Sequence, residues 1–492
     1  MEKWETIEKG PFKPTWESLR QYECPDWFRD AKLGIWAHWG PQSVPMYGDW
    51  YARNMYIQGS DQYYHHWRVY GHPSKHGWKD VVRTWKAENF DPDALMDLYI
   101  KAGAKYFCAL AVHHDNFDNW DSKHNKWNAV NIGPKKDIVG MFREAAKKRG
   151  LPFGVTEHLG ASFSWWTVNK GCDKSGPYAG VSYDGNDPEY EDFYHSNKDE
   201  YDKQKGSDFV WYTDNSRWHN HWFDRIKDLI DKYKPDLLYS DGSVPFDRYG
   251  LGIIAHLYNT SIKENGGINR AVYTQKDSNP LVYTVGVLDV ERSVQKDKFP
   301  YPWQTDTCVG GWFYDVRQKY KSAKQIIEML VDIVSKNGNL LLNFPQRPDG
   351  TLDDECIDIL NKMAAWIKIN GEGIFGTRPW YVSQEGDTIV QPKYRFDEPE
   401  VEYTPGDYRF TQKGNCLYAF QLGWPENGIA LIKSFSAGGG GPILRLMHIE
   451  KVELLGYDGK IDFELTREGL LLTGLPEKRP VEYAHCFKIS CK

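Results

Sequence analysis

Short apolar runs alternate with amphipathic helical segments over most of the chain. Residues 106–112 (YFCALAV) are apolar throughout, which is typical of a parallel strand buried on both faces. Residues 93–104 instead repeat their apolar positions at helical spacing, and a second such helix opens at Asp137 and stops at Gly150. This alternation of strand and helix patterns runs from about residue 30 to 375, as in a chain of βα units.

The runs with strand character suit an eight-stranded barrel. Strands are predicted at 32–40, 106–112, 152–159, 237–241 and 339–344, with fainter ones at 271–274 and 287–290. Further helices are predicted at 222–232, 326–335 and 354–369. We therefore predict an α/β fold with a (β/α)8-type barrel in residues 1–380. Residues 172–216 are polar, aromatic and without a sustained period, so we interpret them as a long insertion on the active-site face.

After about residue 380 the helical pattern disappears. Short apolar runs separated by turns follow, at 417–420, 429–432, 452–455, 461–465, 470–472 and 484–489. Such spacing is typical of an antiparallel β-sandwich, which we assign to residues 381–492. The glycine-rich run at 437–442 lies within this region. Because no strand precedes it and no helix follows it, we interpret it as a turn rather than a phosphate-binding loop.

The composition narrows the class of partner. Lys and Arg number 61 against 68 Asp and Glu, a net charge of −7, so no basic surplus is present to bind nucleic acid. No stretch approaches the roughly 20 apolar residues of a membrane-spanning helix. The 21 Trp, 31 Tyr and 22 Phe have two interpretations: rings that stack on sugar faces, or the core of a large barrel.

Neither the cysteines nor the first residues point to a compartment. The eight cysteines lie far apart and form no CxxC pair, so no zinc site or small disulfide framework is predicted, and most are expected to be free and buried. Residues 1–4 lack the apolar region of a secretory signal, so we expect no signal peptide in this sequence. Compartment and oligomeric state are therefore not predicted.

Ionisable residues end several of the apolar runs. These ends are His38-Trp39, His113-His114-Asp115, Glu157-His158, Asp241-Gly242 and Glu291-Arg292. In a barrel of this class the C-terminal ends of the strands carry the active site. One such carboxylate alone is more often a helix cap, but five polar strand ends together favour a site. Two carboxylates on separate strands are what glycoside hydrolysis requires.

The neighbouring histidines His113 and His114 raise the alternative of a metal site. Adjacent residues on a strand point to opposite faces, which makes it difficult for both to ligate one ion. No HxH or HExxH motif accompanies them, and no GxSxG motif indicates a serine nucleophile. We therefore predict neither a metal nor another cofactor, and a carbohydrate as the partner.

Motifs spread over nearly the whole chain resemble those of family 29 glycoside hydrolases, the α-L-fucosidases. They are LGIWAHWG at 33–40, DWY at 49–51, AGAKY at 102–106, HHDNF at 113–117, WDS at 120–122, WN at 127–128, PKKDIV at 134–139, PDLLYSDG at 235–242, PWQTDT at 302–307, LVDIVSKNGNLLLN at 330–343, DG at 349–350 and NGEGIFGTRPW at 370–380. The resemblance implies a retaining exo-α-L-glycosidase that removes terminal α-L-fucosyl residues from oligo- or polysaccharides through a covalent glycosyl-enzyme.

The resemblance also implies roles for individual residues. Asp241, in PDLLYSDG, corresponds to the nucleophile, and Glu291, which precedes PWQTDT, corresponds to the acid/base. The predicted substrate-binding residues are His38, Asp49, Trp50, His113, His114, Glu157, His158, Tyr239 and Trp303.

Several positions depart from the family pattern. Asp49 replaces a Glu, Asn116 a Gly, Tyr239 a Trp, and Glu157-His158 a Tyr-Ser pair. Polar groups beside the C6 methyl of fucose would suit a C6 hydroxyl, so exo-α-L-galactosidase activity is an alternative. Pairing of Glu157 and His158 with each other or with water is a second interpretation. The remaining alternative, an inactive sugar-binding protein, is disfavoured by the presence of both carboxylates.

Overall fold

The computed structural model describes residues 6–204, 210–392, 398, 400–436 and 448–492. Eight parallel strands close into a barrel, each paired with the next in chain order and the last paired with the first. They are β1 Leu33–Ala37, β2 Tyr106–Val112, β3 Phe153–Glu157, β4 Leu237–Ser240, β5 Val272–Gln275, β6 Val287–Asp289, β7 Trp303–Cys308 and β8 Gly338–Asn343. The predicted barrel is confirmed.

Helices surround the barrel and connect its strands. Those of eight residues or more are Asp61–Val69, Pro92–Lys101, Ile138–Lys148, Ser216–Tyr233, Arg248–Glu264, Ala323–Ser335 and Asp354–Asn370. The shorter α-helices are Trp16–Leu19, Asp26–Ala31, Tyr51–Asn54, Trp78–Thr84, Ser162–Trp165, Glu191–Tyr194, Lys198–Gln204 and Pro280–Tyr283. The 3₁₀ turns are Pro41–Ser43, Leu159–Ala161, Trp166–Lys170, Asp184–Asn186, Pro188–Tyr190, Gly371–Gly373 and Lys433–Phe435.

Capping side chains fix where the helices begin. The Asp137 carboxylate accepts a hydrogen bond from the Gly140 amide at 3.0 Å, so the helix predicted to open there does so. Asp91 and Asp353 cap two other barrel helices in the same way. The connection from β3 to the helix Ser216–Tyr233 contains the residues interpreted as an insertion, and within its described residues each helix has at most seven residues.

The barrel interior follows the two-residue period of its strands. Its inner cluster includes Trp36, Tyr106, Cys108, Leu237, Tyr239, Val272, Val287, Cys308 and Leu341, with neighbours from the helix Asp26–Ala31. Positions one residue away, such as Leu238 and Trp303, belong instead to the layer between strands and helices. This alternation determines which strand-end residues face the barrel axis.

Two antiparallel sheets follow the barrel, as predicted. Their strands are β9 Arg378–Glu385, β10 Tyr408–Lys413, β11 Cys416–Gln421, β12 Ala430–Ile432, β13 Ile449–Leu454, β14 Asp462–Leu465, β15 Leu470–Thr473 and β16 His485–Cys491. The first sheet has the order β13-β16-β11-β10-β9 and the second has the order β12-β15-β14. Trp380 and Phe410 of the first sheet share a core with Ile432 and Leu472 of the second. The glycine-rich run 437–442 lies outside the described residues.

Two further features bear on the sequence predictions. All eight cysteines are free thiols, and five of them are buried, as expected. Among the helices of the described ranges, none is both long and apolar enough to cross a bilayer.

Candidate active site

Side chains from seven of the eight strands meet at one mouth of the barrel. His38 follows β1, His113 and His114 follow β2, His158 follows β3, Asp241 follows β4, Lys276 follows β5 and Glu291 follows β6, while Asp306 lies within β7. Because all strands are parallel, their C-terminal ends open on the same face. The candidate active site is therefore assembled by the barrel itself.

Lys276 links the two carboxylates predicted to be catalytic. Its Nζ lies 2.8 Å from Asp241 Oδ1 and 2.6 Å from Glu291 Oε2. These two distances limit the separation of the carboxylate oxygens to at most about 5.4 Å. Carboxyl groups about 5–5.5 Å apart are typical of retaining glycosidases, whereas inverting enzymes separate them by about 6.5–9.5 Å.

The surroundings of Asp241 favour its ionised form. Burial alone would raise the pKa of this carboxyl, but the positive charge of Lys276 and interactions with His158 and His114 hold it well below its usual range. The His114 Nε2 lies 3.4 Å from Asp241 Oδ2, and the Tyr239 hydroxyl lies 3.3 Å from Oδ1. Asp241 is therefore a carboxylate over the whole neutral range.

The pKa of Glu291 is shifted in the opposite direction to that of Asp241. Burial raises the pKa of its carboxyl, and the nearby charges of Asp306 and Asp241 add to the rise, while Lys276 opposes it. The next residue, Arg292, has a positive φ of 47°, and its guanidinium pairs with Glu398 at 2.8 Å. Two carboxyls with pKa values pushed in opposite directions match the division between a nucleophile and an acid.

The histidines line the pocket between these carboxylates and Asp49. Burial lowers the pKa of His38 to about 3, so its ring is neutral. The His113 Nδ1 accepts a hydrogen bond from Gln42 Nε2 at 2.7 Å, and its Nε2 lies 4.0 Å from Asp49 Oδ1. His114 donates from Nδ1 to the His158 carbonyl at 2.6 Å. Imidazole rings fixed in this way suit hydrogen bonds to hydroxyl groups.

His113 and His114 were expected to point to opposite faces of a strand, which disfavoured a metal site. In the structure they do not. β2 ends at Val112, so strand alternation no longer applies to them, and their ring centroids lie 4.4 Å apart. Within the described residues, ring nitrogens of His38, His113 and His158 come within 4.8 Å of one another. His113 Nδ1 already accepts a hydrogen bond from Gln42 Nε2, so only its Nε2 is left as a possible ligand atom.

Asp49 and Trp50 close the pocket from the loop after β1. Burial raises the pKa of Asp49 to about 7, and the charges of Glu291 and Asp241 contribute. Trp50 adopts a left-handed backbone conformation, with φ of 56°, and its ring lies 5.8 Å from that of His114. Strain of this kind in a non-glycine residue is typical of functional sites.

Two predicted site residues lie outside the pocket. Glu157 faces the helix layer: its Oε2 accepts from the Leu159 amide at 2.9 Å and from the Trp222 indole at 3.2 Å. His158, one residue on, faces the barrel axis, because successive residues alternate. Trp303 begins β7 at the opposite end of the barrel, where its indole donates to the Lys336 carbonyl at 2.9 Å. Glu157 and Trp303 are therefore structural residues.

Lys276, Asp306 and Trp211 were missed by the sequence analysis. Lys276 follows the faint strand β5 and therefore did not appear among the polar strand ends, although its position resembles that of Asp241 on β4. Asp306 lies within β7, whose polar sequence hid the strand. Trp211, from the long β3 connection, donates to the Asp241 carbonyl at 3.1 Å. No local pattern marked it.

Comparison with known families agrees with this geometry. The family model described as Alpha-L-fucosidase matches residues 1–372, about three quarters of the chain. The chain belongs to the α-L-fucosidase family. The model described as Alpha-L-fucosidase C-terminal domain matches residues 399–490. As a member of this family, the chain is a glycoside hydrolase.

Individual relatives extend over the full chain. Tissue α-L-fucosidase of Homo sapiens is 27% identical, with 97% of this chain and 92% of that protein covered. Plasma α-L-fucosidase of Homo sapiens is 26% identical, with 95% and 89% covered. The crystal structure of Thermotoga maritima α-fucosidase in complex with fucose has a TM-score of 0.73 at 24% identity, with 97% of this chain and all of that chain covered. This similarity shows that the two proteins share the same fold over nearly the whole length of both chains.

Proposed function

We propose that this family member removes terminal α-L-fucosyl residues by a retaining, two-step mechanism, with Asp241 as nucleophile and Glu291 as acid/base. The observation that carries the proposal is the shared Lys276 ammonium, which holds the two carboxylates within the separation of retaining enzymes. The family's curated relatives are named α-L-fucosidases, which supports fucose as the sugar.

In the first step an Asp241 oxygen forms a bond to the anomeric carbon while the bond to the leaving oxygen breaks. Glu291 transfers its proton to that oxygen, so the aglycone departs as a neutral alcohol. In the second step Glu291 removes a proton from water, the water oxygen bonds to the anomeric carbon, and Asp241 leaves as a carboxylate. The sugar keeps its α configuration because it is inverted twice.

The charges around Lys276 suit both steps. Lys276 keeps Asp241 ionised and ready to attack. Burial and the charge of Asp241 raise the pKa of Glu291, which favours its protonated form before the first step. Once Asp241 is esterified, that charge is gone and the pKa of Glu291 falls, so Glu291 becomes a better acceptor for the proton of water.

The remaining pocket residues are proposed to hold the sugar. Neutral His38 and His113 present ring nitrogens to hydroxyl groups, His114 lies beside them, and Asp49 adds a carboxyl at the rim of the pocket. Trp50 supplies a half-buried ring beside His114. An inactive sugar-binding protein would not need two carboxylates with opposed pKa values on one ammonium.

Replacing Lys276 by Met is expected to move the whole pH profile of kcat/KM to higher pH. Lys276 lowers the pKa of both carboxyls, so its loss raises both. Asp241 must ionise to attack, which moves the acid limb upward, and Glu291 must be protonated, which moves the alkaline limb upward. An opposite charge at this distance changes a pKa by about one to three units.

Lys276→Arg is the matched control for this prediction, because it keeps the charge and should leave both limbs nearly in place. An unchanged profile in Lys276→Met would contradict the role of the ammonium. So would two limbs that move in opposite directions.

A second candidate function, hydrolysis of α-L-galactosides, is favoured by one observation. His158 lies in the pocket, its ring 5.5 Å from that of Tyr239 and 5.9 Å from that of Trp36. Its Nδ1 is buried and has no hydrogen-bond partner among the described residues. A buried, unpaired nitrogen is costly, and a substrate hydroxyl would satisfy it. This contact belongs to His158 alone, since Glu157 is outside the pocket.

Matched aryl α-L-fucoside and α-L-galactoside substrates test both candidates. The main proposal requires hydrolysis of the fucoside. If His158 binds a C6 hydroxyl, the galactoside is hydrolysed with comparable kcat/KM, and His158→Phe shifts the ratio toward the fucoside by at least about tenfold, since polar recognition reaches about 10⁴-fold and an apolar slot only about 10- to 200-fold.

Glu157→Gln is the control and should leave the substrate ratio unchanged. A strong wild-type preference for the fucoside that His158→Phe does not alter would remove the galactosidase candidate. Absence of fucoside hydrolysis would contradict the main proposal.

A further inference from the structure

A second pair of carboxyl groups lies beneath Lys276 and has no part in the two chemical steps. Asp289 is the last residue of β6, and Asp306 lies in the middle of β7. Both are essentially inaccessible to solvent, at 1% and 0% exposure. Asp289 stands opposite Gln304 in the parallel register, and Asp306 is two residues farther along β7, on the same inward face.

Each of these carboxyl groups has one oxygen paired and one unpaired. Asp289 Oδ2 accepts from Gln304 Nε2 at 2.6 Å. Asp306 Oδ2 accepts from the Tyr239 hydroxyl at 3.0 Å and lies 3.6 Å from Lys276 Nζ. Both Oδ1 atoms are fully buried and receive no hydrogen from any other described residue. The Asp306 carboxyl is close enough to raise the pKa of Asp289.

Two neighbouring buried carboxylates, each with an oxygen that lacks a donor, would be strongly destabilised. Their like charges oppose ionisation of both groups, and one shared proton would remove both the repulsion and the two unpaired oxygens. Burial together with the charge of Asp306 raises the pKa of Asp289 well above its usual range. The titratable groups facing this pair from other strands are Tyr106, Cys108, Tyr239, Lys276 and, through Lys276, Asp241 and Glu291.

We propose that Asp289 is a neutral carboxylic acid that donates its proton to Asp306, and that Asp306 is thereby fixed as the anion that positions Tyr239 and Lys276 against Asp241. Neither residue touches the substrate, so both are positioning residues. Gln304 orients Asp289 from the other side, because the Tyr106 hydroxyl holds the Gln304 carbonyl at 2.7 Å and leaves its amide to donate. Of these contacts, only those of Tyr239 and Lys276 with Asp241 rest on the proposed function, in which Asp241 is the nucleophile.

The pair has a consequence for the nucleophile. The Tyr239 hydroxyl has one proton and lies near two carboxylates, 3.0 Å from Asp306 and 3.3 Å from Asp241. An anionic Asp306 accepts the hydrogen bond of the Tyr239 hydroxyl, which leaves the electron pairs of Asp241 free to attack. If Asp306 were neutral, the Tyr239 hydroxyl would donate this hydrogen bond to Asp241 instead and weaken Asp241 as a nucleophile.

Infrared spectroscopy of the whole protein tests the shared proton directly. At about pH 9 an ordinary aspartic acid and the groups with a pKa of about 7 are ionised, so a remaining C=O band of a protonated carboxyl, shifted in D₂O, is expected from Asp289. The band should be absent from Asp289→Asn. In Asp306→Asn the band should remain but shift in frequency, because Asp289 stays buried while its proton loses the anionic acceptor.

Absence of the band from the wild type would overturn the proposal, and so would a band that is unchanged in Asp289→Asn or unshifted in Asp306→Asn. Because this readout needs no turnover, it is independent of the role of Asp241. A lost band in Asp289→Asn together with a fully active Asp241→Ala would preserve the acid pair and reject the proposed nucleophile.

Kinetics tests the positioning role. Asp289→Asn keeps an N–H donor toward Asp306, whereas Asp289→Ala leaves Asp306 with a buried unpaired oxygen. We expect Asp289→Ala to lower kcat by about tenfold or more with little change in KM, and Asp289→Asn to lower it clearly less. Equal losses in both variants, or a loss confined to KM, would contradict positioning through the shared proton.

Discussion

Asp241→Ala is expected to lower kcat by about four orders of magnitude while the protein stays folded. The variant removes the group that forms the covalent intermediate, and among the described residues only Glu291 is another carboxylate within 3 Å of Lys276 Nζ. Lys276, His114 and Tyr239 remain to fill the site, so thermal unfolding should change little. The measurement is steady-state turnover of an aryl α-L-fucoside, with a melting curve for each variant.

Asp277→Ala is the matched control, since its carboxylate lies beside Lys276 in sequence but binds the Ser243 hydroxyl instead. It should retain most of the activity. Added azide should restore turnover to Asp241→Ala and yield a β-configured glycosyl azide, because the small anion attacks from the vacated side. Turnover close to wild type in Asp241→Ala, without azide, would end the assignment.

Glu291→Ala should separate substrates by the quality of their leaving groups. A general acid contributes about 10²- to 10⁴-fold when the leaving oxygen needs a proton, and little when it leaves readily as an anion. We therefore expect kcat/KM for a fucosyl disaccharide to fall by that factor, and kcat/KM for a dinitrophenyl fucoside to fall far less. The comparison uses kcat/KM because this parameter reports the first step, before Glu291 acts as a base.

Asp297→Ala, in the same loop, is the control for Glu291. Its carboxylate binds Ser383 at 2.5 Å rather than any pocket residue, so both substrates should respond alike. Equal losses on the two substrates in Glu291→Ala would assign the acid to another residue, for which the β3 connection that supplies Trp211 is the first place to search.

The sequence predicts the barrel well where the strands are apolar. β2 matches its predicted run residue for residue, since YFCALAV is buried on both faces. β7 is not predicted, because Gln304 and Asp306 turn polar side chains to the barrel axis. β10 is also missed: Arg409 is fully buried and pairs with Asp332 of a barrel helix. Buried polar residues with partners far along the chain cannot be recognised from a hydrophobic pattern.

The same limit applies to the site. Asp241 and Glu291 are predicted from strand ends and from the family resemblance, and the structure brings them onto one ammonium. The sequence pattern did not show which residues at the end of β3 point toward the barrel axis. In the structure His158 points inward and Glu157 points outward. Lys276 was missed because its strand is short and faint, so its position as a strand end was not evident.

The configuration of the first product tests the central proposal most directly. Wild-type enzyme is mixed with an α-L-fucoside, and proton NMR follows the anomeric signals before the free sugar equilibrates. Double displacement through Asp241 predicts that α-L-fucose forms first and that the β anomer appears only later, at the rate of spontaneous mutarotation. If β-L-fucose forms first, hydrolysis proceeds by a single inversion, and the roles proposed for Asp241 and Glu291 are wrong.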